Sequence, residues 1–206
     1  MKNAIIIFVR NPVLGKVKTR LAKDIGSEKA LQVYKKLLQH THTITADLDC
    51  DKFVYYADGI SEHDIWENSL YKKKVQQGEN LGDRMMAAFF ELFQQGYTKI
   101  IIIGSDCPDL SGFIVLDAFD KLNEAEVVIG PSSDGGYYLL GMIQYIPDFF
   151  RDKAWNTDKV LSATLLDAVR LGKRCQVITE LADIDTAEDL LRYQNNSKKE
   201  IGIFLN

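Results

Sequence analysis

Short apolar runs alternate along the chain with longer amphipathic stretches, and this rhythm predicts most of its elements. Residues 4–9 (AIIIFV), 52–57 (KFVYYA), 99–104 (KIIIIG), 127–130, 137–142 and 174–179 read as strands, being short, rich in β-branched and aromatic residues, and bounded by turn formers. The run KIIIIG is continuous rather than alternating, which implies burial on both faces. Residues 28–45, 81–95, 111–122, 158–171 and 186–193 carry apolar positions at helical spacing and read as helices. The resulting βαβα order predicts a mostly parallel sheet with helices on both faces, because parallel strands need crossover connections. Around GPSSDGG only a turn separates two strands, so the sheet is expected to be mixed. No repeat, low-complexity tract or linker interrupts the pattern, and residues 1–206 are expected to form a single domain. The terminal IGIFLN reads either as an added edge strand or as a surface for a partner.

Composition narrows the function classes. With 206 residues, 46% of them hydrophobic and 26% charged, the chain can build a real core and is not a disordered tail. Acidic residues outnumber basic ones, 29 to 25, for a net charge of −4, which argues against a nucleic-acid-coating surface. Cys50, Cys107 and Cys175 are too few and too dispersed for a disulfide framework or a zinc knuckle, pointing to a reducing, cytoplasmic setting. The N-terminal apolar run falls far short of the roughly 20 residues that span a bilayer and reads as a buried strand.

In an open α/β sheet, ligands bind beyond the carboxyl ends of the strands, and four post-strand loops carry unusual chemistry. The first, RNPVLGKVKTRL, crowds Arg10, Lys16, Lys18 and Arg20 where a polyphosphate would be held by guanidinium forks and ammonium charges. It is not a P-loop: GxxxxGK[ST] would need Gly at Arg10 and Ser or Thr at Val17, and GxGxxG fails because Gly15 is the loop's sole glycine. The second, SDCPDLS, is delivered by the buried strand and presents Asp106 opposite that loop, suited to Mg²⁺ or Mn²⁺; Ser111 caps the next helix. The third, GPSSDGGYY, is a hairpin turn whose Gly135 and Gly136 also permit close backbone approach to a ligand, with Asp134 beside them. The fourth, LADIDTAEDL, starts a helix at Thr186 with Asp189 as its box partner. Asp183 and Asp185, alternate residues of an extended segment, would face one side and complete a cation site begun by Asp106. Cys107, His40, His42, His63, Trp66, Met85 and Met86 read as structural, and Tyr137 and Tyr138 are expected to divide between cleft and core.

Taken together, RNPVLGKVKTRL, QQGENLGDRM, IIIGSDCPDLS, GPSSDGGYYLLG, WNTDKVLSAT and DIDTAEDL resemble the small bacterial glycosyltransferase-like proteins of the nucleotide-diphospho-sugar transferase superfamily. These include radical-SAM/selenodomain-associated transferases and are similar to the 2-phospholactate and molybdopterin guanylyltransferases. The resemblance, running from about residue 5 to 190, implies a GT-A type, Rossmann-like three-layer αβα sandwich that binds a nucleotide and a divalent cation, Mg²⁺ or Mn²⁺. By that resemblance Asp106 matches the metal-binding aspartate, and Asp185 a second ligand with Asp183 as companion. Arg10, Lys16, Lys18 and Arg20 match the phosphate loop, and Gly82 and Arg84 a segment near the nucleotide. Gly135, Gly136, Trp155 and Thr157 match the acceptor side, and Asp106, Asp134 and Lys18 stand as catalytic candidates. The chain departs from the family pattern at Arg10 and Leu14, where Lys and a second Pro are common. It lacks the LAAG-type nucleotidyltransferase loop, and Ser105-Asp106-Cys107 supplies only the central acid of a glycosyltransferase Asp-x-Asp.

The expected activity is a metal-dependent glycosyltransferase-like reaction using a nucleotide-sugar or nucleoside triphosphate and a small-molecule acceptor. Nucleotidyl transfer to a small phosphorylated acceptor is the alternative, and a non-catalytic nucleotide-binding module a further one. Nucleic-acid and membrane partners are not expected, and self-association is left open.

Overall fold

A computed structural model describes residues 2–61, 63–155 and 157–196; IGIFLN lies outside the described residues. Among them seven strands form one sheet: β1 (Asn3–Val9), β2 (Asp51–Tyr56), β3 (Tyr71–Val75), β4 (Lys99–Ile103), β5 (Val127–Pro131), β6 (Tyr137–Met142) and β7 (Cys175–Val177). Their spatial order is β3-β2-β1-β4-β6-β5-β7. Pairing is parallel except for β6, which runs against both β4 and β5. The mixed sheet predicted from GPSSDGG is thus the β5–β6 hairpin inserted beside β4. Since β6 alone is reversed, the loops after β1, β2, β3, β4 and β7 and the β5–β6 turn all emerge at one edge.

The helices are α1 (Thr19–Ile25), α2 (Ser27–Ala46), α3 (Leu81–Gln94), α4 (Gly112–Lys121), α5 (Val160–Arg170) and α6 (Ala187–Asn196). Strand periodicity of two divides the core between the two faces of the sheet. Ile5, Ile7, Val9, Ile101 and Ile103 pack with Tyr34 and Leu38 of α2 and Val115 and Ala118 of α4. Ala4, Ile6, Ile100 and Ile102 pack with Met85, Ala88, Phe89 and Leu92 of α3 and Ala168 of α5. Every residue of β4 is buried, as its unbroken apolar run requires.

Three elements depart from the sequence reading. The first loop does not run unbroken to Leu21, because Thr19–Ile25 forms α1, with Leu21 fully buried against Ala30, Val33 and Leu37 of α2. The strand β3, YKKKV, was unforeseen because three lysines hide its alternation. It is a sheet edge, where charge discourages pairing with another chain, and Lys72, Lys73 and Lys74 each find a carboxylate in Asp51, Asp64 and Glu91. The predicted helix at 158 begins only at Val160, since Asp158 lies in the turn packed against Gly135.

Candidate active site

At the carboxyl edge of the sheet the loops enclose a cleft of about 910 Å³. It is lined by all of the expected phosphate-loop residues, Arg10, Lys16, Lys18 and Arg20, by Asp106, Asp134, Gly136, Arg84, Trp155, Thr157 and Asp185, and by Gln76, Glu79 and Asn80. Residues up to 175 positions apart in sequence therefore meet because neighbouring parallel strands end together: Ile7 of β1 is in register with Ile103 of β4, so the loops that follow them lie side by side.

At its centre the Lys18 ammonium lies 2.8 Å from Asp106 Oδ1 and 2.9 Å from Asp185 Oδ1. The Arg20 guanidinium donates to Asp185 Oδ2 at 2.5 Å. Lys18 is the N-cap of α1 and sits in the left-handed region, φ 46° and ψ 45°, a conformation costing a non-glycine residue about 1 kcal/mol or more. Its side chain is only 5% exposed. Burial favours the neutral amine, but the charges of Asp106 and Asp185 outweigh it, so the Lys18 pKa is raised and the ammonium stays charged.

The donor set suits a hard divalent cation. One positive centre already touches both carboxylates, and Mg²⁺ is commonly held by one or two carboxylates with substrate phosphates and water completing the shell. Among the described residues no group of three His, Cys, Asp or Glu side chains gathers to hold a metal, so phosphate oxygens would have to supply the remaining positions.

Asp183 does not share this seat. The segment 182–185 is irregular, Ile184 N donates to the Asp106 carbonyl at 3.0 Å, and the two carboxylates diverge: Asp185 enters the cleft while Asp183 accepts from Ser132 Oγ at 2.9 Å. The argument from alternate positions fails because it needs a regular strand. Burial first, and then the charge of Asp106, push the Asp183 carboxyl up to about 7, against the opposing Ser132 hydroxyl and Lys18 ammonium. A carboxyl with a raised folded pKa stabilises the fold below its unfolded pKa, and that contribution is lost as pH rises towards 7. Asp183→Asn, whose amide oxygen can still accept from Ser132, is therefore expected to raise stability at pH 8 by about 1 kcal/mol. The gain is set below the full linkage value because the amide Nδ2 that replaces a carboxyl oxygen needs a hydrogen-bond acceptor of its own in the same buried place. Melting curves of the two proteins should converge near pH 4; a gain that is the same at pH 4 and pH 8 would contradict this.

Asp134 serves its own turn, accepting from Gly136 N at 2.9 Å, while remaining in the cleft wall. Gly135 has φ +88°, and a Cβ there would meet the Asp158 carbonyl at 2.3 Å, so the hairpin turn packs directly on the loop bearing Trp155 and Thr157. That loop is anchored by the buried Lys153, whose ammonium pairs with Asp167 of α5 at 2.6 Å. Thr157 Oγ1 donates to the Ala154 carbonyl at 2.7 Å. Gly82, in the first turn of α3, lies under the Trp155 indole: a Cβ would sit 2.3 Å from Nε1. Gly82 and Trp155, which the resemblance puts on the nucleotide and acceptor sides respectively, are thus in direct contact.

Tyr34 escaped the sequence reading. Its hydroxyl accepts from Arg10 N at 2.8 Å and donates to Arg10 O at 3.0 Å, fixing the start of the first loop. Burial, with the Asp106 charge adding to it, pushes its pKa up to about 12. Nothing in a tyrosine on the apolar face of a helix announces this. Gln76, Glu79 and Asn80 were also missed, although QQGEN stands out: Gln76 Nε2 donates to Tyr55 O at 2.9 Å, Asn80 caps α3 through Asp83 N, and Arg84 Nε donates to Gly78 O at 3.1 Å. Of the residues read as structural, His40 meets the Leu110 carbonyl and His42 meets Glu67, Trp66 is buried, and Met85 packs in the core but also lines the cleft. Tyr138 packs in the core while Tyr137 lines the cleft.

Comparison with known proteins adds three findings. A family model described as "Uncharacterized protein conserved in bacteria (DUF2064)" matches residues 40–157. The crystal structure of a Desulfovibrio desulfuricans G20 protein, provisionally named a nucleotide-diphospho-sugar transferase, is 31% identical, covers 97% of this chain and 90% of its own, and superposes with a TM-score of 0.88. At lower identity, the 4-diphosphocytidyl-2C-methyl-D-erythritol synthase of Anaerococcus prevotii DSM 20548 (12%, 93% of each chain, TM-score 0.58) and a CMP:2-keto-3-deoxy-manno-octonic acid synthetase complexed with CTP (11%, 94% and 97%, TM-score 0.55) share the fold. No curated relative matches the sequence. The architecture is the GT-A type expected from the six motifs. No described helix is long and apolar enough to cross a membrane.

Proposed function

The chain belongs to the DUF2064 family, and on that footing we propose that it is a metal-dependent transferase acting on a nucleotide, most simply a nucleotidyltransferase. One observation carries the reading: a cation-bearing loop and two carboxylates face each other across a single buried ammonium at the carboxyl edge of the sheet. Polyphosphate against the loop and a cation on the carboxylates is the complementary occupant. The fold neighbours named for cytidylyl chemistry, one of them holding CTP, support the same class.

In this reading Arg10, Lys16 and Arg20 bind the triphosphate, and Asp106 and Asp185 would hold Mg²⁺ or Mn²⁺. The cation would supply charge neutralisation at the reacting phosphate. An acceptor oxygen placed near Asp134, Gly136, Trp155 and Thr157 forms its bond to the α-phosphorus as the bond to the β-phosphate oxygen breaks and pyrophosphate leaves. Asp134 takes the proton where the acceptor is a hydroxyl. The guanylyltransferase-like form of this chemistry, with a small phosphorylated acceptor, is the narrower version of the proposal. Glycosyl transfer is the second reading, favoured by the provisional name of the 31% identical relative.

A melting-temperature panel of nucleoside mono-, di- and triphosphates and sugar nucleotides, with and without Mg²⁺ or Mn²⁺, tests it. A ligand at about 100 times its Kd adds roughly 2.7 kcal/mol, or about 5 °C or more. The expected result is a metal-dependent shift by a triphosphate, abolished in Asp106→Ala, with release of pyrophosphate that Asp134→Asn slows without weakening binding. A shift by sugar nucleotides alone would select glycosyl transfer, and no shift by any member would overturn the proposal.

A further inference from the structure

We propose that Lys18 is the resident counter-cation of the Asp106–Asp185 seat and that it exchanges with a divalent cation, so that metal binds well only when a nucleotide's phosphates take over the displaced ammonium. The inference rests on the nucleotide reading above and adds an order to it: phosphate and metal enter together, and neither alone wins the site.

The geometry presents a conflict that the proposal resolves. The first loop places Lys18 among the phosphate-binding cations, yet its ammonium is already engaged by both carboxylates, at 2.8 and 2.9 Å, and is almost wholly enclosed. With two of its three N–H donors held by those carboxylates and the group enclosed, a full engagement with phosphate draws it out of that seat. A metal ion attracted to Asp106 and Asp185 meets the same obstacle from the other side, because entering means evicting a buried ammonium and leaving it without a partner, a costly state for any buried charge. Lys16, by contrast, is exposed and lines the cleft. A polyphosphate lying along the loop removes the penalty: the evicted Lys18 pairs with it, and the carboxylates pair with the metal. Two ligands whose separate binding each breaks the same ion pairs, and whose joint binding replaces them, are positively coupled, and the coupling is reciprocal. The left-handed backbone at Lys18 fixes where the side chain starts, at the junction of the loop and α1.

The test is Mn²⁺ binding, followed by electron paramagnetic resonance, with inorganic triphosphate as the phosphate probe. It is made on the wild type, on Lys18→Met, and on Lys18→Gly, which takes a positive φ without strain and guards against a folding defect in the first variant. Wild type is expected to bind Mn²⁺ alone weakly, and both variants at least tenfold more tightly. Triphosphate should strengthen Mn²⁺ binding to the wild type at least tenfold more than to either variant, a difference to which chelation in solution contributes equally throughout. The proposal is overturned if the folded variants bind Mn²⁺ alone no better than wild type. It is equally overturned if triphosphate affects all three alike. Failure of wild type to bind either Mn²⁺ or triphosphate, singly or together, would instead sink the proposed function and this inference with it.

Discussion

Asp106→Asn is expected to lower turnover by about 10²- to 10³-fold, the scale seen when one preorganised charge-stabilising group is removed from a reaction centre, while leaving the fold intact. The carboxylate reaches the cleft from the end of β4, with its side chain 43% exposed, and meets Lys18 there. The structural duty of the residue lies elsewhere, in the backbone carbonyl that accepts from Ile184 N, and the substitution keeps it. The amide keeps the shape and loses the charge, so Lys18 and any divalent cation lose half of their negative support. The measurement is pyrophosphate release from whichever nucleotide raises the melting temperature most, alongside a thermal melt of the variant. Asp109→Asn, an exposed carboxylate on the same loop, serves as the comparison and should retain full turnover. Equal turnover in the two variants would remove Asp106 from the chemistry. A collapse of the Asp106→Asn melting temperature would move it into the architecture.

What could be read from the sequence and what could not divide along physical lines. Elements whose residues face apolar surroundings on a regular period were legible: KIIII of the predicted KIIIIG is a fully buried strand, and Thr186 with Asp189 forms the box that starts α6, Asp189 Oδ2 accepting from Thr186 N and Oγ1. The edge strand YKKKV was not legible, because an edge is selected for charge as much as for alternation. Nor was the seven-residue α1, whose two-sided contacts with α2 and α6 lie outside any local pattern. The same distinction holds in the cleft. Arg10, Lys16, Asp106 and Asp185 could be singled out because post-strand loops in such a sheet converge. The side-chain direction that separates Asp183 from Asp185, and the bridging position of Lys18, depend on which backbone groups pin an irregular segment, and spacing does not encode that.

Gly82→Val is expected to weaken the nucleotide's melting-temperature effect and to reduce turnover by at least about tenfold, although valine is the better helix former by a few tenths of a kcal/mol. The reason is steric. Gly82 is buried in the first turn of α3, and even a single Cβ would meet Trp155 Nε1, Cε2 and Cζ2 at 2.3 to 2.6 Å. These are ring atoms of a half-buried side chain, with no flexible end to swing aside, so either the indole leaves the cleft wall or α3 shifts. Overpacking of this kind costs about 1–3 kcal/mol. Trp155 belongs to a loop clamped to α5 through Lys153 and Asp167, and α3 is fixed to the sheet by Phe89 and Leu92, so neither side yields cheaply. A double-mutant cycle isolates the contact: in a Trp155→Ala background the valine finds space, and Gly82→Val should then cost little in stability, leaving an interaction free energy of about 1 kcal/mol or more. Additive effects would mean that Gly82 acts on α3 itself and that the indole is not held by the helix. Non-additivity in stability and in turnover together would identify the Gly82–Trp155 contact as the joint between the proposed nucleotide side of the cleft, carried by α3, and the proposed acceptor side, carried by the loop before α5.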